Sequence, residues 1–183
     1  LDWTALPDAD GIARAAWENN LNCPVTSAAG RLFDAAAAIV CEFPHASFEA
    51  QGPMMLEAVC RSPADGMDLP LLEGDNGILR TDWQPLLGML ADPSIELARR
   101  AELFHGSVAL AIVAQAKALA AQHEFAQIGL CGGVFQNRVL AEQATSLLER
   151  AGFSVYMPVA LPCNDAALSY GQAAEVAARE PKQ

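Results

Sequence analysis

Residues 127–178 constrain the fold more than any other part of the chain. A short apolar run at 127–131 is broken by Gly132 and Gly133, and helical periodicity then covers 135–150. Gly152 closes that helix, 153–156 form a second short apolar run, and Pro158 and Pro162 bracket a loop. Cys163-Asn164-Asp165 then stands directly before an alanine-rich helix. Two short strands joined by one helix pair in parallel across a right-handed crossover, so 127–178 is a strand–helix–strand–helix unit. Glycines at a strand-to-helix turn let backbone N–H groups approach an anion, and the helix dipole favours phosphate there. The Asx pair opening the last helix is a cap, and it faces the same crevice from the end of the neighbouring strand. That is half of a nucleotide-handling site.

The rest of the chain is mainly helical. A short amphipathic helix at 10–20 carries Ile12, Ala16 and Trp17, and a loop rich in turn formers follows. Ser27 is placed to cap the next helix, whose apolar positions Leu32, Phe33, Ala36, Ala37 and Val40 recur at helical spacing, with Pro44 ending it. A helix at 51–61 puts Met54, Met55, Ala58 and Val59 on one face, read as core. A turn at 63–67 leads to a hairpin of 69–72 and 77–81 about Glu73-Gly74-Asp75-Asn76, then a short helix at 83–90 stopped near Pro93. The longest periodic segment is 95–122, with Ala98, Ala101, Val108, Ile112 and Leu119 on one stripe. The expectation is a helix-rich α/β fold in one domain or lobe over 1–183, with 20–126 mainly helical.

Composition narrows the function. A formal net charge of −11 argues against a nucleic-acid partner, because binding phosphates needs clustered Lys and Arg. No uninterrupted apolar stretch is long enough to span a bilayer, and a membrane partner is not expected. Five widely spaced cysteines with no CxxC pair point to reduced cytosolic thiols and a cytoplasmic location. A start at Leu1 points to a fragment of a longer protein.

Each motif has two readings. The Gly132-Gly133 turn either cradles phosphate or simply turns the chain; Asn137 bonds a ligand or caps; Asp165 is a helix-start carboxylate or a divalent-cation ligand. His45, His105 and His123 are far apart and form no HxxxH or HExxH pair. His105, beside Phe104, reads as packed or half-exposed. Cys163 has no neighbouring base, and the adjacent carboxylate would raise its pKa, which argues against a nucleophile.

Five segments in order, TSAAGRLFDAAAAIV (26–40), FEAQGPMMLEA (48–58), ELFHGSVA (102–109), LCGGVFQN (130–137) and LPCNDAALSYGQAA (161–174), resemble the HypF carbamoyltransferase family of NiFe-hydrogenase maturation. The resemblance covers roughly residues 20–178, the C-terminal part of the family's threonylcarbamoyl-transferase-like domain. It implies one lobe of an actin-like, Hsp70-like ATPase (ribonuclease H-like) fold with inserted helices. It also implies that ATP and carbamoyl-adenylate bind, with a divalent metal (zinc, iron or magnesium). The carbamoyl group then passes to the C-terminal cysteine of a HypE-like acceptor, with the upstream domains of the same protein as further partners.

Matched to the family's motifs, Gly132, Gly133 and Asn137 fall on its nucleotide-binding turn and Asp165 on its metal ligand, beside Asn164. Ser27, Gly30, Arg31 and Asp34 fall on its GRLFDA segment, and Glu49 and Gln51 on the segment usually written YEGQA. Phe48 and Ala50 replace a tyrosine and a glycine of that segment, and Ala166 and Ala167 replace the glycine pair of CNDGG beside the nucleotide. A methyl there blocks close approach or opposes a positive φ. The family's histidine-rich metal motif belongs upstream, so these residues supply one metal ligand and one cleft wall, and the chain alone is expected to be inactive. The alternatives are a related O-carbamoyl or threonylcarbamoyl transferase, or a catalytically inactive stand-alone binding lobe.

Overall fold

A computed structural model describes residues 11–43, 45–74 and 77–179; Asp10, Pro44, Asp75 and Asn76 of the sequence expectations lie outside them. The order is α1 (Ile12–Glu18), α2 (Ala29–Val40), α3 (Gln51–Ala58), β1 (Leu71–Glu73), β2 (Leu79–Thr81), α4 (Leu86–Ala91), α5 (Leu97–Ala120), β3 (Gln127–Gly129), α6 (Arg138–Arg150), β4 (Ser154–Tyr156) and α7 (Leu168–Arg179). Single 3₁₀ turns at Gly133–Gln136 and Asp165–Ala167 precede α6 and α7.

Helix α5 organises the fold, packing against α2, α4, α6 and the hairpin. Length and composition alone would let it cross a membrane (mean hydropathy 1.5), a property that the expectation of no such stretch overlooked. Its apolar face is spent on the core instead: Ala98, Ala101, Phe104, Val108, Ala109 and Val113 are buried. Leu119 is not; it is 44% exposed near the end of the helix. On α2, Phe33, Ala36, Ala37 and Val40 are buried at the expected helical spacing, and Phe33 meets Phe104 edge-on at 4.8 Å between centroids.

Three expectations are corrected. Met54 and Met55 are exposed and so is Ala58, while the buried face of α3 is Gly52 and Leu56. A Cβ at Gly52 would stand 3.1 Å from Ala37 Cβ, so α3 approaches α2 through its glycine, which carries no hydrophobic signal. Ser27 does not cap α2; Ala28 holds the cap position and its N–H donates to Thr26 Oγ1 at 3.1 Å. Helix α1 buries no residue, leaving Ile12 and Trp17 exposed.

The strand readings hold. β1 and β2 pair antiparallel, Leu72 opposite Arg80, and β3 and β4 pair parallel, Ile128 opposite Val155. The two parallel strands are joined through α6, whose Leu140, Ala141, Ala144 and Leu148 face the core. Helix α7 buries no residue.

Ala50, at the α3 N-cap, lies in the left-handed region at φ 62°, ψ 11°. A Cβ there costs about 1 kcal/mol or more relative to glycine. Ala50→Gly should therefore stabilise the protein by about 1 kcal/mol, raising Tm by about 3 °C in calorimetry. An unchanged or lower Tm would contradict the left-handed assignment.

Candidate functional site

The carboxyl ends of β3 and β4 lie side by side, which brings the two C-terminal motifs together. The Leu130 N–H donates to the Tyr156 carbonyl at 2.8 Å, and the Gly132 N–H donates to the Cys163 carbonyl at 2.6 Å. Gly132 sits at φ 112°, ψ 153°, a conformation that a side chain at this residue would strain. No protein atom lies within 4 Å of where its Cβ would point, so this face of the turn is open. A Cβ at Gly133 would stand 3.9 Å from Asn164 Cβ, which places the glycine turn directly against the Asx loop. The first 3₁₀ bond runs from the Phe135 N–H to the Gly132 carbonyl, so the Gly133 and Val134 amides have no carbonyl of the turn behind them. These residues fit the backbone side of an anion site.

In the Asx loop, Asn164 caps the second 3₁₀ turn, accepting from the Ala166 N–H at 3.1 Å. Asp165 is exposed beside it. Ala166 is exposed and Ala167 half-buried; both stand within the 3₁₀ turn and neither has a positive φ. Alanine is thus compatible with the backbone of this loop, and its methyls act only by filling space.

Asn137 brings a further correction to the sequence expectation. The single helix expected over 135–150 is a 3₁₀ turn followed by α6, because Asn137 is extended at ψ 109° and acts as the N-cap. Its Oδ1 accepts from the Leu140 N–H at 2.9 Å, and its Nδ2 lies 2.9 Å from His105 Nε2. Asn137 is 8% exposed and His105 fully buried, with the ring packed edge-on against Phe33 and Phe104. Burial pushes the His105 pKa below its ordinary value, against smaller opposing effects from the Ala101 carbonyl and Glu57. The Arg138 N–H donates to Glu57 Oε1 at 2.7 Å, so α3 also reaches the start of α6.

The GRLFDA and FEAQG segments converge on a second feature, a cleft of about 450 Å³ lined by Arg31, Asp34, Phe43, Phe48, Glu49 and Ala50 among others. Arg31 Nη2 contacts Asp34 Oδ2 at 2.9 Å, a charge pair without hydrogen-bond alignment. Gln51 turns away into its own loop, its Oε1 accepting from the Ser47 N–H and hydroxyl at 2.8 and 2.9 Å. Ser27 is exposed and Gly30 half-buried near the start of α2. Helix α2 lines the cleft and also touches the 3₁₀ turn at Gly133–Gln136, so the cleft and the glycine turn both adjoin this helix.

A metal centre is a different matter. Among the described residues no three His, Cys, Asp or Glu side chains are placed to hold an ion, and His105 is committed to the interior. Asp165 stands as a single ligand, so these residues do not by themselves fit a metal. Burial pushes the Cys60 thiol up to about 12, helped by the Glu102 and Glu57 charges, and raises Cys41 as well. Both shifts disfavour the thiolate form that a nucleophile needs.

Sequence reasoning missed Glu57 and the joining of His105 to Asn137. The available signal was a polar residue on the buried stripe of α5, because a buried imidazole requires partners.

Comparison with known proteins shows the family. Residues 4–172 match the family described as carbamoyltransferase, Kae1-like domain, second subdomain. The chain is 37% identical over 174 residues to a carbamoyltransferase HypF homolog of Cupriavidus necator, covering 90% of this chain and 43% of that protein. It is 34% identical over 174 residues to carbamoyltransferase HypF of Rhizobium leguminosarum bv. viciae, covering 92% of this chain and 22% of that one. It thus spans less than half the length of either relative. A crystal structure of full-length HypF in a phosphate- and nucleotide-bound form superposes with a TM-score of 0.75 at 29% identity, over 82% of this chain and 20% of that one. The chain therefore belongs to the HypF carbamoyltransferase family, and its helix-rich α/β fold is that of the second subdomain of the Kae1-like domain.

Proposed function

We propose that this chain forms one wall of the nucleotide cleft in a cytoplasmic carbamoyltransferase. That enzyme would pass a carbamoyl group from carbamoyl-adenylate to the C-terminal cysteine of a HypE-like partner during NiFe-hydrogenase maturation. The observation that carries the reading is the Gly132–Cys163 backbone bond, which sets the glycine turn against the Asx loop at the ends of paired parallel strands. A relative of the same family has been crystallised with phosphate and nucleotide bound, which supports the same use of the fold here.

In this reading the Gly133 and Val134 amides face the phosphate, and the carboxylates of Asp34 and Glu49 line the neighbouring cleft beside α2. Carbamoyl-adenylate supplies the activated carbonyl carbon. The partner's sulfur bonds to that carbon while the bond from carbon to the adenylate oxygen breaks, and AMP leaves with its electron pair. The thiol proton goes to solvent. The nucleophile belongs to the partner, in keeping with the raised pKa of the Cys41 and Cys60 thiols of this chain. Were a divalent ion held by residues elsewhere in the whole protein, Asp165 would be this chain's single carboxylate toward it. The incomplete ligand set favours one rival reading, a binding lobe without catalysis of its own.

Calorimetric titration with ATP, with and without a divalent metal, tests the proposal. Wild-type affinity should be weak, about 100 µM or poorer. Gly133→Val should abolish binding by driving its side chain at Asn164, and Asp165→Ala should remove mainly the metal dependence. Binding that ignores both substitutions would place the nucleotide elsewhere. With carbamoyl phosphate, ATP and a HypE-type acceptor, this chain alone should form no thiocarboxamide, since one wall cannot exclude water from a reactive adenylate. Product formation by the chain alone would refute that expectation.

A further inference from the structure

We infer that His105 is a positioning residue for the glycine turn, and that Asn137 serves the site by fixing that turn from inside and not by touching the ligand. The inference deepens the nucleotide reading above and rests on it for its functional half. The two residues are 32 apart in sequence and meet in the core, where every polar atom of the pair has an assigned use. His105 Nδ1 lies 2.8 Å from the Ala101 carbonyl, one turn back on α5. A carbonyl only accepts, so Nδ1 carries the proton and Nε2 presents its lone pair. That lone pair takes the Asn137 Nδ2 hydrogen at 2.9 Å. Asn137 Oδ1 is left for the Leu140 N–H, the cap that starts α6. A flipped amide would set oxygen against the imidazole lone pair and nitrogen against the Leu140 N–H, losing both bonds.

The consequence reaches the site. Asn137 directly follows the 3₁₀ turn Gly133–Gln136, and its own N–H donates to the Val134 carbonyl at 3.2 Å. Where Asn137 is held, the direction of the Gly133 and Val134 amides is held as well. The pair joins the most buried stretch of α5 to the exposed glycine turn through one side-chain contact. Both ends of the Asn137 side chain are engaged inside the protein and it is only 8% exposed, which turns it inward and away from a nucleotide.

The titratable groups that face the ring are Cys60, whose sulfur lies 3.5 Å from Nδ1, and Glu57 on α3; α2 contributes Phe33 and α6 contributes the uncharged Asn137. This makes the imidazole a readable reporter. Nitrogen-detected NMR of the wild-type chain should show the Nδ1–H tautomer in the neutral His105 ring, which should titrate below its ordinary range. In Asn137→Asp the cap oxygen survives, a carboxylate replaces the donor, and the imidazole pKa should move upward. His105→Leu should speed hydrogen exchange of the Leu140 amide about tenfold or more, while His105→Gln, whose Oε1 still accepts, should restore protection. ATP affinity should fall about tenfold in His105→Leu and recover in His105→Gln.

An Nε2–H tautomer, an unchanged Leu140 exchange rate in His105→Leu, or equal behaviour of the Gln and Leu variants would overturn the inference. If His105→Leu does not fold, the Asn137→Asp titration decides, and a pKa that does not rise counts against it. Failure of the wild-type chain to bind ATP would count against the nucleotide reading alone, since tautomer and exchange still decide whether the pair holds the turn.

Discussion

Gly106→Ala is expected to remove a large share of the stability of the fold. At Gly106, α5 meets the 63–67 segment backbone to backbone. A methyl there would be driven into the Ala64 carbonyl and the Gly66 amide, and one at Gly66 into the Gly106–Ser107 peptide. None of these atoms is the free end of a flexible side chain. The segment is also pinned, with the Met67 N–H donating to Ser107 Oγ at 2.8 Å and Gln143 Nε2 to the Ala64 carbonyl at 2.6 Å. Relief requires moving α5 away from the loop, at a cost of about 3 kcal/mol or more. A domain of this size has only about 5–15 kcal/mol to lose. Gly88, in α4 with open space at its Cβ, is the matched control, and Gly88→Ala should stabilise by up to about 1 kcal/mol. Circular dichroism on heating reads both, and a Gly106→Ala protein melting within a few degrees of wild type would refute the close approach.

Glu102→Ala is the second large loss. The carboxylate is 6% exposed on α5, and its Oε1 accepts from the Arg61 and Ser62 N–H groups at 3.0 and 3.1 Å. Arg99 stands 3.6 Å from Oε2, a looser charge contact. These amides belong to the chain just after α3, where the helix has ended and no strand supplies carbonyls. Truncation leaves two donors without their acceptor, worth about 3 kcal/mol in urea denaturation. Glu102→Gln keeps an oxygen in place and should lose about 1 kcal/mol. Equal losses for the two variants would show that packing, and not the accepting oxygen, is what matters.

Glu102, like His105, marks where sequence reasoning stops. Both stand on the buried side of α5, and helical periodicity treats them as interruptions of an apolar stripe. Their partners lie 40 or 41 residues away for Glu102 and 32 for His105, at distances that no spacing rule connects. The α3 face failed for a related reason. Two methionines outweigh a glycine in any hydrophobic pattern, yet α2 and α3 approach through Gly52, where the missing side chain is the useful property. The Asn137 cap was readable as one of two roles, and the partner that selects the role comes from another helix.

What the sequence by itself determined was everything governed by local period and punctuation. The buried stripe of α2, the antiparallel hairpin, the parallel pairing of β3 with β4 and the meeting of the glycine turn with the Asx loop all follow from local signals. Strand and helix periods are set within a few residues, and a short strand–helix–strand unit has one favoured way to close. Tertiary structure alone decided which polar side chains are buried and with whom, and where backbone meets backbone at Gly66 and Gly106. It also decided that Ala50 takes a left-handed conformation. Each of those depends on atoms distant in sequence being brought within hydrogen-bond or van der Waals range, where a buried group without a partner costs more than any local preference can offset.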